Sequence, residues 1–516
     1  MHGLSRVKCF LNGRVYTGFK PLRVEEALTV AYGRVLYAGE EGKALALCRM
    51  LGGEAVDLEG KTILPGFIDS HMHLDGVGLQ LSTLDLRGVG SIEELKEKVR
   101  EYAASHSGGP VVGRGWDQEF FREKRWPTRW DLDEAVVDRP VILVRVCGHA
   151  AVLNTKAMEL AGLIHVESPW VVRDESGEAT GVILEGAVGE ALRVLQGSMD
   201  TREKALLMRR ALEYAASLGV TTLGFMSCSG DSLRALMLLH SEWRYPRVRV
   251  YVEPGLLREL SKLGFTGGFG SEYLRVKGVK AFADGSLGAR TAWLSKPYSD
   301  DPLNTGRQLI SRSELEGLVE EASRAGFQVA VHAIGDAAVD LVLDVYRSAR
   351  GSGVRHRIEH ASVIRPEQVA EASSLGIAVS VQPRFAVSDW WAGQRLGDER
   401  LKWLYPFKTM AGRGVALGFS TDAPVEPLNP WETIYAAVAR EGGEALTLEE
   451  ALHYYTYGSA YVLGEEGELG TLTEGKLADL IVVDRDPFKT PLGELRGIRV
   501  VETYVGGERV LVQPPS

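Results

Sequence analysis

His71 and His73 stand two residues apart at the end of an apolar run, LPGFIDSHMH. In a strand that spacing turns both imidazoles to one face, where they can share a metal ion. Three more candidates each close an apolar run of their own: His332 in VAVHAIGD, His360 in RIEHAS and Asp422 in GFSTDAP. Neutral imidazole and carboxylate are the donors of zinc sites, and manganese, iron or cobalt accept a similar set. Lys280, in VKGVKAFADG, is expected to be buried, where an isolated ammonium is costly. Two readings follow. It forms an ion pair with an acidic neighbour such as Asp284, with Lys277 competing for any functional role, or its neutral amine takes up carbon dioxide. The resulting carbamate is an anionic oxygen ligand able to bridge two cations.

These residues converge only if something aligns the ends of their strands. Between residues 200 and 466 a helical pattern repeatedly ends in glycine and an apolar strand begins at once, at Gly219, Gly326, Gly376 and Gly414. Each glycine suits the left-handed position just past a helix C-terminus, and each β-branched run suits a strand buried on both faces. Capping boxes at Ser91 to Glu94, Ser313 to Glu316 and Thr447 to Glu450 mark helix starts. Strands are expected near 64–73, 220, 247, 275, 327, 355, 377 and 415, which makes a (β/α)8 TIM barrel. In that fold functional groups collect at the C-terminal ends of the strands, so all the candidates meet at one mouth.

The gap between the first two strands exceeds any single crossover helix, so residues 83–199 are read as an insertion or cap subdomain, rich in aromatics. The barrel takes 65–82 and 200–466. Short β-rich runs with glycine turns in 1–64 and 467–516 read as one small β-sandwich domain built from both termini. Trp116, Asp117 and His149 of the insertion are candidate substrate contacts. The alternative is that the first two pack the insertion and His149 makes a local hydrogen bond.

A formal charge of -10, from 59 basic and 69 acidic side chains, offers no footprint for nucleic acid. The four cysteines lack metal or redox spacing, and no apolar run reaches the ~18 residues of a membrane span. A cytoplasmic protein acting on a small molecule is expected, without a membrane partner and with a homo-oligomer left open. Neither a serine nucleophile elbow nor a phosphate loop is present.

Taken together, His71, His73, Lys280, His332, His360 and Asp422 fall on the pattern of the amidohydrolase superfamily, which nearly the whole chain resembles. GRGWDQEFF, CGHAAVLNTKAM, FADGSLGARTA and FSTDAPVEPLNPW are similar to the branch that includes N-substituted formamide deformylase. The resemblance implies two divalent ions, zinc by preference. His71, His73 and Asp422 would hold one, and His332 and His360 the other. Carbamylated Lys280 and a hydroxide would bridge them, and Asp422 would shuttle the proton. It implies hydrolysis of a non-peptide carbon-nitrogen bond in an amide, N-acyl or N-formyl compound. A lactone, cyclic amide or ester on the same site, or a non-catalytic binding or assembly protein, is the alternative. Deaminases of the superfamily place a glutamate three residues after the fifth-strand histidine. Here Gly335 stands there, with Asp336 one further, which argues against deamination.

Overall fold

The computed structural model describes residues 7–106, 109–145, 150–197, 199–240 and 246–510. Eight parallel strands run in order: Phe67–Met72, Val220–Cys228, Arg247–Val252, Leu274–Phe282, Gln328–Ala333, Arg357–His360, Ala378–Val381 and Ala416–Phe419. The last meets the first through the backbone beyond its end. Asp422 N–H donates to His71 C=O at 2.8 Å and His73 N–H to Ala423 C=O at 2.7 Å. Thr421 Oγ1 adds a bond to the buried Asp69 carboxylate at 2.7 Å. The expected eight-stranded barrel is thus present, nearly closed, and its strand ends carry the candidate residues.

The punctuation works as expected. Gly219, Gly326, Gly376 and Gly414 have φ of 83°, 70°, 67° and 76°, a region open to glycine without a Cβ clash. Ser91 Oγ accepts from Glu94 N–H, and Thr447 with Glu450 forms a capping box. The third box sits two residues earlier than expected. Ser311 caps the helix Arg312–Arg324 with Glu314, while Glu316 pairs with Arg312 at 2.9 Å. Both registers satisfy the Ser-x-x-Glu pattern. The earlier one adds residues to the helix and keeps Leu315, Val319 and Ala322 buried.

The chain divides into two compact units. The first comprises 1–76, 211–233 and 239–516, so the terminal strands group with the barrel. Here Leu480–Val483 pairs antiparallel with Thr62–Pro65, joining both ends of the chain in one six-stranded sheet. A four-stranded sheet from the first sixty residues shares with it a buried cluster that includes Phe10, Val30, Ile63, Leu480 and Tyr504. The second unit, 77–210 with 234–238, is wider than the insertion expected at 83–199. It holds its own six-stranded mixed sheet, from Thr83–Asp85 to Ala179–Leu184, with separate cores on its two faces. No helix among the described residues is long and apolar enough to cross a membrane. Cys9, Cys48 and Cys228 are free and buried.

A buried histidine at the far end of the sixth strand gives the barrel unit a pH response. His356 is 6% exposed; its Nδ1 accepts from Val329 N–H at 3.1 Å and its Nε2 lies 3.0 Å from Ser323 Oγ. Burial pushes its pKa down to about 4. The unfolded chain, near 6.5, therefore binds a proton first, so stability is full above pH 6.5 and falls as pH drops from there toward 4. His356→Gln is expected to flatten that slope in pH-resolved thermal unfolding; an unchanged slope would assign it to other groups.

Candidate metal centre

The first strand, FIDSHM, is buried throughout, because side chains on both faces pack inside the fold. His71 is 1% exposed, and its Nδ1 lies 2.5 Å from Glu359 Oε2. Arg357 closes on the other edge of that carboxylate, with Nε at 2.5 Å from Oε1 and Nη2 at 2.8 Å from Oε2. Arg357 Nη2 also donates to Ser70 C=O at 2.8 Å. Burial alone would raise the Glu359 carboxyl, but Arg357 and His71 hold it far below the usual carboxylate range. An ionised Glu359 can only accept, so His71 Nδ1 carries a proton and Nε2 is the nitrogen turned to the mouth, the one able to ligate.

That nitrogen faces a carboxylate oxygen. His71 Nε2 and His73 Nε2 lie 3.3 Å and 3.2 Å from Asp422 Oδ1, an oxygen that is buried and has no hydrogen bond among the described residues. Bare nitrogen and carboxylate oxygen at this distance repel unless a proton or a metal cation stands among them. Asp422 has φ 58°, and His360 and Ala361 have 74° and 46°, a region costly for residues with a Cβ. Such strain persists where the surroundings over-determine it and gathers at functional sites. At His360 it breaks the strand alternation that would send Glu359 and His360 to opposite faces.

His360 is 3% exposed and its Nδ1 lies 2.7 Å from Gln382 Oε1; the Gln382 amide is fixed by its Nε2, which donates to Ser420 Oγ at 2.8 Å. Nδ1 is therefore the donor and Nε2 the free nitrogen. His332 uses the other edge: Nε2 donates to Gly285 C=O at 2.9 Å, leaving Nδ1 free. Burial pushes the His332 pKa down to about 3 and holds His360 well below its ordinary value, so both rings are neutral and able to ligate. Their centroids are 4.5 Å apart, and the His71 and His360 centroids 5.0 Å. His71, His360 and Asp422 each offer a ligand atom within 4.8 Å of one another.

Lys280 is 1% exposed and no carboxylate among the described residues lies within 4 Å of its Nζ, which stands 4.8 Å from the Phe282 ring centroid. The ion pair with Asp284 is not made. Asp284 instead accepts backbone N–H bonds from Trp293 at 2.8 Å, Ile334 at 3.0 Å and Gly335 at 2.8 Å, and so orders the loop after the fourth strand. Lys277 is spoken for by Glu465 at 3.0 Å. Burial pushes the Lys280 pKa down to about 8, against the pull of Glu359 and Asp422. Asp336 is likewise engaged, by Ser295 N–H at 2.9 Å and Arg365 at 2.7 Å. Aromatic faces border the histidines, with the half-exposed Phe282 ring 5.3 Å from His332 and Phe385 6.3 Å from His360.

The insertion residues fare differently. Trp116 is 0% exposed, donates through Nε1 to Leu143 C=O at 2.8 Å and stacks with Phe121 in the core of its unit, so it packs that unit rather than lining a surface. Asp117 caps the short helix Gln118–Phe120 and pairs with Arg145 at 2.7 Å. His149 lies outside the described residues. Residues missed from the sequence are Arg357, Glu359 and Gln382. RIEH carried a signal for two of them, since opposite charges two residues apart in a wholly buried strand are tolerable only when paired.

A parallel eight-stranded barrel with histidines and an aspartate gathered at the C-terminal ends of its strands has the build of a barrel metal site. The chain belongs to the amidohydrolase family, whose model matches residues 54–511. A solved structure described as an uncharacterized metal-dependent hydrolase from Pyrococcus furiosus is 44% identical, covers 94% of this chain and all of that one, and superposes with a TM-score of 0.86. N-substituted formamide deformylase of Arthrobacter pascens is 29% identical over 93% of this chain and 94% of its own. Protein LONG AFTER FAR-RED 3 of Arabidopsis thaliana is 32% identical over 97% and 90%.

Proposed function

We propose that this chain is a metal-dependent hydrolase of a non-peptide carbon-nitrogen bond, with an N-acyl or N-formyl amide as its substrate class. The observation that carries the reading is the unpartnered, buried Asp422 Oδ1 facing the Nε2 atoms of His71 and His73, an arrangement that calls for a cation. The formamide-cleaving activity in the name of the Arthrobacter relative supports the bond class.

His71, His73 and Asp422 would hold one divalent ion, and His332 and His360 a second, both of them zinc. Lys280, as its carbamate, would serve both. Bound divalent ions acidify water and polarise a carbonyl. The remaining work falls to the chain. Glu359 and Gln382 fix the ring orientation of His71 and His360, so no rotation is needed when substrate arrives. The Lys280 amine, already near its neutral form, is available for carbon dioxide. The Asp422 carboxylate would take the proton released as water adds to the carbonyl carbon and return it to the leaving nitrogen. The carbon-nitrogen bond breaks and the products are an acid and an amine.

The test is metal content per chain, by elemental mass spectrometry, in wild type and Lys280→Ala purified without chelator. About two ions in wild type and a marked loss in the variant are expected. One ion, unaffected by the substitution, would remove lysine from the site.

A further inference from the structure

The imidazoles of the centre are not backed alike. Behind His71 stands an ionised carboxylate, Glu359, at 2.5 Å from Nδ1. Behind His360 stands a neutral amide oxygen, Gln382 Oε1, at 2.7 Å, and behind His332 a peptide carbonyl, that of Gly285, at 2.9 Å. A carboxylate acceptor draws its partner proton more strongly, and so makes the opposite ring nitrogen a better electron donor than a neutral carbonyl does. Arg357 offsets part of the Glu359 charge, yet it bonds the carboxylate without displacing the His71 contact. The second anion, Asp422, also stands on this side, within 3.3 Å of His71 Nε2 and 3.2 Å of His73 Nε2. Among the described residues the pair His332 and His360 has no carboxylate of its own; Asp284, 3.5 Å from His332 Nε2, is occupied by three backbone N–H groups.

We infer that the two positions of the centre are unequal. The one formed by His71, His73 and Asp422 retains a divalent cation more tightly than the one formed by His332 and His360, and Glu359 is the positioning residue that sets the gap. This rests on the binuclear reading given above. Losing an outer partner of a metal-binding histidine costs about 10–100-fold in affinity, which fixes the size of the expected gap.

The experiment strips the purified holoprotein with a chelator of known zinc affinity and counts zinc per chain, so that no substrate is needed. One ion is expected to leave first, the other resisting until free zinc is about 10–100-fold lower. In His332→Asn the resistant ion keeps its affinity, whereas in His73→Asn it weakens. Glu359→Gln narrows the gap. If that variant does not fold, the two histidine variants decide alone. Loss of both ions in one step, or a resistant ion that depends on His332 and not on His73, overturns the inference while leaving the binuclear site standing. A holoprotein with no bound divalent metal of any kind overturns both.

Discussion

Asp422→Asn is expected to keep its fold and its metal while kcat falls by about 10²–10⁴-fold, the range a positioned general base supplies. Asparagine is the right replacement because the position is left-handed, at φ 58°, and asparagine tolerates that region as aspartate does, where alanine would not. The amide oxygen can still face His71 and His73, but it cannot carry a proton. KM should move little, since the lost interaction belongs to the proton transfer rather than to substrate binding. The check is kcat and KM for any amide that the wild type turns over, with metal per chain measured on the same preparation. Full turnover with metal retained would remove Asp422 as the proton carrier.

Arg357→Leu is expected to cost the barrel about 3–5 kcal/mol, the usual result of removing one partner of a buried ion pair. Both side chains are 0% exposed, and the leucine would leave Glu359 with His71 as its sole partner among those described above. Denaturant unfolding followed by tryptophan fluorescence would read the shift, with the midpoint of the barrel transition as the observable. The double variant Arg357→Leu with Glu359→Leu should recover most of the loss, because an apolar pair can replace a buried ion pair at little cost. That recovery would come with weaker metal binding, since His71 loses the acceptor that fixes its tautomer. A small effect in the single variant would mean that water or relaxation solvates Glu359.

The two results together separate what the centre needs for chemistry from what it needs to stand. Asp422, which is proposed to meet the reacting atoms, is held in a strained conformation by backbone bonds to the first strand, so its loss is expected to be felt in rate. Arg357 is buried under the site and is felt in stability first. Gln382 lies between these cases, a neutral brace on His360 tied down by Ser420.

Much of the centre was legible because its signals are local. A strand is recognised by its apolar run and its flanking glycine, and a histidine or aspartate at its end is a position, not a contact. Once the barrel is assumed, strand ends converge by topology, which is why His71, His73, Lys280, His332, His360 and Asp422 could be named together. Gly219, Gly326, Gly376 and Gly414 were equally local, each answering a backbone requirement of its own turn.

What the sequence alone determined, then, is the barrel, its strand order and the residue types at its mouth, because periodicity and helix ends are properties of neighbours in the chain. Only the tertiary structure decided which partner each of those residues has. Glu359 finds His71 nearly three hundred residues away, Asp284 turns to three peptide N–H groups instead of Lys280, and Trp116 sinks into the core of its own unit. Those choices depend on burial and on which strands lie side by side. In a low-dielectric interior each polar group must take the best partner in reach, and reach is set by the fold rather than by sequence distance.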